Sequence, residues 1–355
     1  MKERIRQTIP AILVPVLAIL SAFIVGACFL TIAGYHPLEA GAAILNGTFG
    51  SQRAINQMLM KATPLMLIGV GIAIAFKGSS FNIGAEGQFF AGALGTTLLE
   101  GVLRNWNLPS AVMIPLLLLA ALLFGGICGA IPGYLKAKRG ASEVVTSVML
   151  SSIMILLVGY LVNGPLQEPN KVYSESQEIV DAAKLPYVAQ GSNLHIGIFI
   201  AVAVAILAYI MLEKTTYGFK IKMAGQNRLA AEYAGVNPKF ICVSTLAISG
   251  AIAGLAGGIE VLGLTWKLYV SISPGYGYNA IAVALLAGLN PLVTIFSAIL
   301  FGALNTGCNQ MARTLGVPSS LSSLLQALVL LFVVAYTVLQ PQILGRTKKG
   351  GNAPC

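Results

Sequence analysis

The sequence predicts an all-α integral membrane protein with about ten transmembrane helices, some of them broken, and an inverted repeat. Three observations carry that prediction. Of 355 residues, 56% are hydrophobic and only 10% charged, against about 25% charged in soluble domains. A water-soluble chain of this size could not cover its surface with so few charges; lipid removes the need. The apolar residues gather into ten runs, at 9–33, 62–76, 81–103, 110–135, 143–162, 194–212, 240–264, 279–289, 291–307 and 321–344. The net charge of +10 is spread between those runs and forms no single patch. That distribution reads as a topology signal and argues against nucleic acid as a partner.

Lys2, Arg4 and Arg6 precede the first run, as in a secretory leader. The run from Ile9 to Ala33 exceeds the roughly 7–15 residues of a leader's apolar core. It is expected to stay as a first helix crossing about 30 Å of hydrocarbon. The runs at 62–76 and 279–289 are too short to span alone, and the second ends at Gly288-Leu289-Asn290-Pro291. Such segments mark either broken helices along a transport route or kinked helices with no such role. With a cytoplasmic N-terminus, the ten crossings put 15 Lys and Arg inside and 7 outside, the direction of the positive-inside rule. One transmembrane domain over 1–345 is expected, followed by a cytoplasmic tail at 346–355. An external loop at 163–193 sets Glu168, Glu175, Glu178 and Asp181 against Lys171 and Lys184, and a basic cytoplasmic loop spans 213–239. The stretch from Phe124 resembles the one from Phe301, with Gly140 and Tyr160 matching Gly316 and Tyr336. The copies lie five segments apart, so the second is inverted, an arrangement transporters use.

Within the cytoplasmic loop, residues 228–234 read as a short helix. Gly235 suits the left-handed position that follows a helix, and Pro238 prevents continuation. The helix suits docking into a groove of a cytoplasmic partner, which the small pair Ala230-Ala231 would let approach closely. An ordinary basic juxtamembrane loop is the alternative. In SSFNIGAEGQFFAGALG (Ser79–Gly95), Asn82, Glu86 and Gln88 stand among apolar residues. A charge at a helix centre costs about 2.5–3.5 kcal/mol, but Glu86 sits only about 10 Å into its segment at 1.5 Å per residue. It either fixes a helix start or inter-helix hydrogen bond, where the dipole favours a carboxylate, or lines the translocation route. Asn82, Gln88 and Asn279 are candidates for the same route. Gly84, Gly87, Gly92 and Gly95 fit close helix packing.

No phosphate-binding GxxxxGK[ST], HExxH or GxSxG pattern occurs, so the chain offers no catalytic residue, no metal site and no ATPase of its own. The five Cys form no close pair and read as apolar fillers. His36 and His195 are isolated and expected at membrane boundaries.

Leu229-Ala230-Ala231, three residues, then Gly235 resembles the coupling loop of ABC importer permeases, whose loose pattern is Glu-Ala-Ala, three residues, Gly. Leu229 departs from the Glu, as in the branch resembling branched-chain amino acid and monosaccharide permeases. The resemblance continues through Ser244–Gly263 and Pro274–Leu292 and covers roughly 60–340. The NIGAEGQ segment is similar to the permeases of nucleoside ABC importers. YLVNGPLQEP (Tyr160–Pro169) and the chain length resemble the larger of their two permease subunits. This resemblance implies nucleoside translocation by alternating access across the bacterial cytoplasmic membrane. The implied partners are a second homologous permease, a cytoplasmic ABC ATPase carrying ATP and Mg, and an external nucleoside-binding lipoprotein. Arg228, Ala230, Ala231, Glu232 and Gly235 would form the ATPase coupling element. A ribose-type monosaccharide permease is the nearest alternative. An ion-coupled secondary transporter would bury several ionisable groups, whereas only Glu86 and Glu260 are expected to be buried here.

Overall fold

The computed structural model describes residues 20–188 and 193–343, so the sequence readings on 1–19, 189–192 and 344–355 lie outside it. The described part of the first run is helix α1, Leu20–Ile32. It is followed by α2 (Pro37–Phe49), α3 (Gln52–Lys77), α4 (Ala85–Leu103), α5 (Ser110–Arg139), α6 (Glu143–Val162) and α7 (Gly197–Lys214). Then come α8 (Thr216–Gln226), α9 (Arg228–Tyr233), α10 (Pro238–Glu260), α11 (Tyr276–Leu286), α12 (Pro291–Leu315) and α13 (Ser319–Ile343). Among the described residues the extended backbone amounts to isolated bridges such as Gln167 with Ser176 and Tyr187 with His195. Among the described residues, six helices are long and apolar enough to cross a membrane: α3, α5, α6, α7, α10 with its extension to Thr265, and α12. The chain is an all-α, multi-pass membrane protein.

Two compact units divide it, one of 52–303 and one built from 1–51 and 304–355. In the smaller unit Leu30, Ala40, Ile44, Met311, Val317 and Leu325 form the apolar core. Gly307 lets α12 lie directly against Ile44 and Thr48 of α2.

The larger unit is organised around α3 and α10. Residues 62–75 of α3 are buried throughout, which explains why the run shows no polar face. α10 packs against α5 and α4 along glycines: a Cβ on Gly254 would run into the Ala121 carbonyl and lie 2.7 Å from Cα of Gly125, and one on Gly92 would strike the Gly254 carbonyl. Without side chains the backbones approach to van der Waals contact, the packing that lipid-embedded helices use in place of hydrophobic exclusion. α4, with Glu86, Gln88, Glu100 and many glycines, falls short of the apolarity of a membrane span, and its neighbours surround it. The outer faces of α5, α6 and α7 instead expose Leu119, Leu123, Ile153, Leu156, Phe199 and Leu207. That surface suits hydrocarbon and not water.

Several expectations shift. The run at 62–76 is the apolar C-terminal part of a 26-residue helix, about 39 Å long at 1.5 Å per residue, and α3 is not too short to span. Its first turns, Gln52 to Lys61, carry polar residues that hide the helix from an apolarity count, and Pro64 sits inside it without ending it. The run at 279–289 is indeed short, an 11-residue α11. α2 and α8 were not anticipated. Two helix links look alike locally: α5 and α6 are joined by three residues starting at Gly140 (φ +69°), and α12 and α13 by three starting at Gly316 (φ +65°).

The glycine packing makes a stability prediction. Gly254→Val should lower the thermal midpoint of the purified chain, by an amount corresponding to about 1–3 kcal/mol of overpacking. Gly101→Ala, where a Cβ meets nothing within 4 Å, should leave the midpoint unchanged or raise it. Thermal unfolding of both variants in detergent, followed by fluorescence, checks the pair.

Candidate functional site

The larger unit contains an interrupted helix. α10 ends at Glu260, continues as one π-helical stretch from Val261 to Thr265, and stops where Trp266 adopts φ +57°. The chain runs irregularly to Gly275 and re-enters as α11. Its first two residues, Tyr276 and Gly277, are buried, so the free N–H groups of that helix end cannot turn to water. Gly275, at the cap position, has no side chain to offer. Ser273 Oγ accepts from the N–H of Tyr276 at 3.0 Å, and Glu86 Oε2 accepts from the N–H of Gly277 at 2.6 Å. The 3%-exposed Glu86 thus places its carboxylate on the positive end of the α11 dipole. It lies in the first turn of its own helix as well. Gly277 permits this, because a Cβ there would lie 2.6 Å from Cα of Glu86.

A second carboxylate, buried Glu260, faces the same helix start. Lys61 Nζ donates to the Tyr276 hydroxyl at 3.0 Å, and that hydroxyl donates to Glu260 Oε1 at 3.5 Å. Neither Lys61 nor Tyr276 was singled out in the sequence; a lone Lys inside a helix that continues into an apolar run was the available signal. Asn82 and Gln88 pair with each other: Asn82 Nδ2 donates to Gln88 Oε1 (2.7 Å) and Ser249 Oγ (2.8 Å), and Gln88 Nε2 donates back to Asn82 Oδ1 (3.0 Å). Asn279 is half-buried on the first turn of α11. Two further acids are buried, against expectation, both at helix ends and partnered. Glu100 holds Arg104 and accepts from the N–H of Val180, and Glu143 holds Lys136.

Residues 163–188 fold over the break. The N–H groups of Ser176, Ile179 and Leu185 donate to the carbonyls of Leu268, Trp266 and Leu262 at 2.8–2.9 Å. Lys267 pairs with Glu175 and Glu168, which raises its pKa, Glu175 contributing most. Lys184 binds Asp181 and Glu178, each at 2.8 Å, and lies over the Trp266 ring; Asp181 is correspondingly held below the usual carboxylate range. His195, expected at an interface, is buried at the foot of this loop. Burial pushes its pKa down to about 4, and its neutral Nδ1 accepts from the N–H of Gly197.

At 213–239, α8 and α9 form a fixed platform. Thr215 caps α8, Asn227 Oδ1 accepts from the N–H of Ala230 to cap α9, and Asn237 caps α10 ahead of Pro238. Gly235 takes φ +76°, the left-handed position read from the sequence. Glu213 ties the platform to α3 by accepting from Lys77 (3.3 Å) and Lys222 (2.6 Å). The Ala230-Ala231 pair is split: Ala231 is 0% exposed and faces inward, while Ala230 is exposed beside Leu229 and a 93%-exposed Tyr233. Arg228 and Glu232 form an exposed ion pair at 3.3 Å. The arrangement offers an apolar, aromatic surface on a rigid base.

The family model of the branched-chain amino acid transport system / permease component matches residues 54–334. Glucose ABC transporter permease protein TsgB13 of Haloferax volcanii is 32% identical, over 98% of this chain and 95% of its own. Guanosine ABC transporter permease protein NupP of Bacillus subtilis is 32% identical over 96% and 97%. Nucleoside ABC transporter permease protein NupB of Lactococcus lactis is 31% identical over 93% and 92%. A match spanning both the interrupted helix and the α8–α9 platform, with relatives aligned nearly end to end, establishes that this chain belongs to the branched-chain amino acid transport system / permease component family.

Proposed function

We propose that this chain is the permease subunit of an ATP-binding cassette importer and carries nucleosides across the bacterial cytoplasmic membrane. The observation that carries the reading is full-length similarity to the guanosine and nucleoside permeases NupP and NupB, together with the NIGAEGQ segment, which resembles nucleoside importers. The equally similar glucose permease TsgB13 favours monosaccharide import as the second reading. In this proposal the chain performs no covalent chemistry; ATP and Mg reside on a cytoplasmic ABC ATPase that docks on α9. A second homologous permease completes the pathway, and an external nucleoside-binding lipoprotein delivers solute near 163–193. Residues 1–345 act as one transmembrane domain with ten crossings, and both termini, including the 346–355 tail, are cytoplasmic. The matching three-residue links at Gly140 and Gly316 support the inverted repeat.

The mechanism follows from the interrupted helix. Alternating access needs an element with two arrangements that ATP can bias, and the 261–275 break is a candidate. Asn279 stands near the pathway. Glu86 is assigned the structural role of fixing the α11 start, with Asn82 and Gln88 bracing the adjoining turn. Arg228, Ala230, Glu232 and Gly235 shape the coupling surface, and Ala231 seats it.

Proteoliposomes holding the complete importer should take up labelled guanosine on ATP addition, with unlabelled uridine or adenosine competing and glucose not. Competition by glucose alone would replace this reading with the monosaccharide one. Ala231→Glu, which forces a charge into a sealed contact, and Gly235→Pro, whose ring cannot adopt φ +76°, should each reduce ATP-dependent uptake at least tenfold while the chain still inserts; full uptake at equal expression would remove 213–239 from coupling. Glu86→Gln keeps an acceptor for Gly277 and should retain most uptake. Glu86→Ala strands the buried N–H at about 1–3 kcal/mol, so thermal midpoint and uptake should fall together. A stable Glu86→Gln complex without uptake would move Glu86 onto the solute route.

A further inference from the structure

Away from the interrupted helix, the ends of α3, α5, α8, α9 and α10 meet around a cavity of about 200 Å³. Its wall includes Ser79, Lys136, Arg228, Pro238, Lys239 and Cys242, and no acidic side chain lines it. Lys136 and Arg228 each have one carboxylate partner outside the wall: Glu143 at 2.5 Å and Glu232 at 3.3 Å. Lys136 also donates to the Ser79 carbonyl at 3.3 Å. Three cations from three helices therefore share one concave space. Glu143 and Glu232 meet two of these charges from outside the wall, Lys239 forms no ion pair among the described residues, and a concave wall concentrates the field of the positive face that remains. The 23-residue α10 begins at Pro238 on the same wall and adds the positive end of its dipole.

Size narrows the ligand. Pockets that enclose a whole drug-sized molecule measure about 300–1,000 Å³, so this one takes a head group and leaves the remainder outside. We propose that the cavity binds a phosphate group. That chemistry is shared by anionic phospholipid head groups and soluble phosphate esters, and Lys and Arg donors recognise it by charge-assisted hydrogen bonds. Arg228 is both wall and first residue of α9, so occupancy bears directly on the seat of the exposed Leu229–Tyr233 surface. The proposal requires nothing about which solute is transported.

The test uses the full chain in neutral detergent. Dioleoylphosphatidylglycerol, dioleoylphosphatidylcholine and inorganic phosphate are titrated separately, with thermal midpoint and native mass spectrometry as readouts. Phosphatidylglycerol or inorganic phosphate should raise the midpoint and bind at a stoichiometry of one; phosphatidylcholine, whose phosphate is covered by its own ammonium, should not. Lys239→Glu should weaken that binding about tenfold or more, the scale of one lost charge-assisted contact. Lys239 is exposed, so folding is spared, and circular dichroism verifies this. Lys220→Glu, an exposed α8 cation outside the wall, should change it less than about twofold. Binding of phosphatidylglycerol without inorganic phosphate assigns the site to lipid, and the converse assigns it to a soluble ester. Absence of both, or equal weakening by Lys220→Glu, overturns the proposal.

Discussion

A helix end inside an apolar protein has to find partners for its free backbone groups, and the larger unit is arranged around one such end. Water cannot reach the first N–H groups of α11, and no helix precedes them to supply carbonyls. Ser273 from the irregular stretch and Glu86 from α4 supply the acceptors. That requirement explains a carboxylate at the start of α4, the glycine at 277 that lets it approach, and the folding of 163–188 over the remaining backbone of the break. A short charge-assisted bond and a favourable dipole reduce the cost of burying Glu86.

Around this point the packing follows one rule. Where helices must lie deep, as in α4, α5 and α10, glycines bring backbones together; where they face outward, as in α6 and α7, bulky aliphatic residues cover the surface. The same rule explains why α4 tolerates Gln88 and Glu100, and the turn before it Asn82: they face protein, where partners can be placed, and not lipid, where they cannot.

Much of this was legible in the sequence for definite reasons. Apolar runs long enough to span give themselves away by composition, and the Gly235 stop by the steric freedom its φ of +76° demands. The broken character of 279–289 could be read from its length. What escaped has equally definite causes. The first turns of α3 carry Gln52, Arg53, Asn56, Gln57 and Lys61, so a hydropathy count truncates the helix. The Lys61–Tyr276–Glu260 chain joins residues 16 and 215 positions apart, a proximity that only the packing creates. Ala230 and Ala231 look equivalent in the loop, yet a six-residue helix turns one toward the protein and the other away.

The reach of Glu86 sets the character of any movement at the break. A carboxylate on a two-methylene stem, buried on all sides, has little slack, and the amide next to its Gly277 partner, that of Tyr276, is already taken by Ser273 Oγ. N–H···O hydrogen bonds keep to about 2.7–3.2 Å and weaken steeply once the angle falls below about 120°. Displacing α11 therefore does not stretch this contact by degrees; the helix is either latched or released. A device built on such a catch behaves as a switch with two settings rather than a spring, so partial inputs leave it where it stands until one is large enough to trip it.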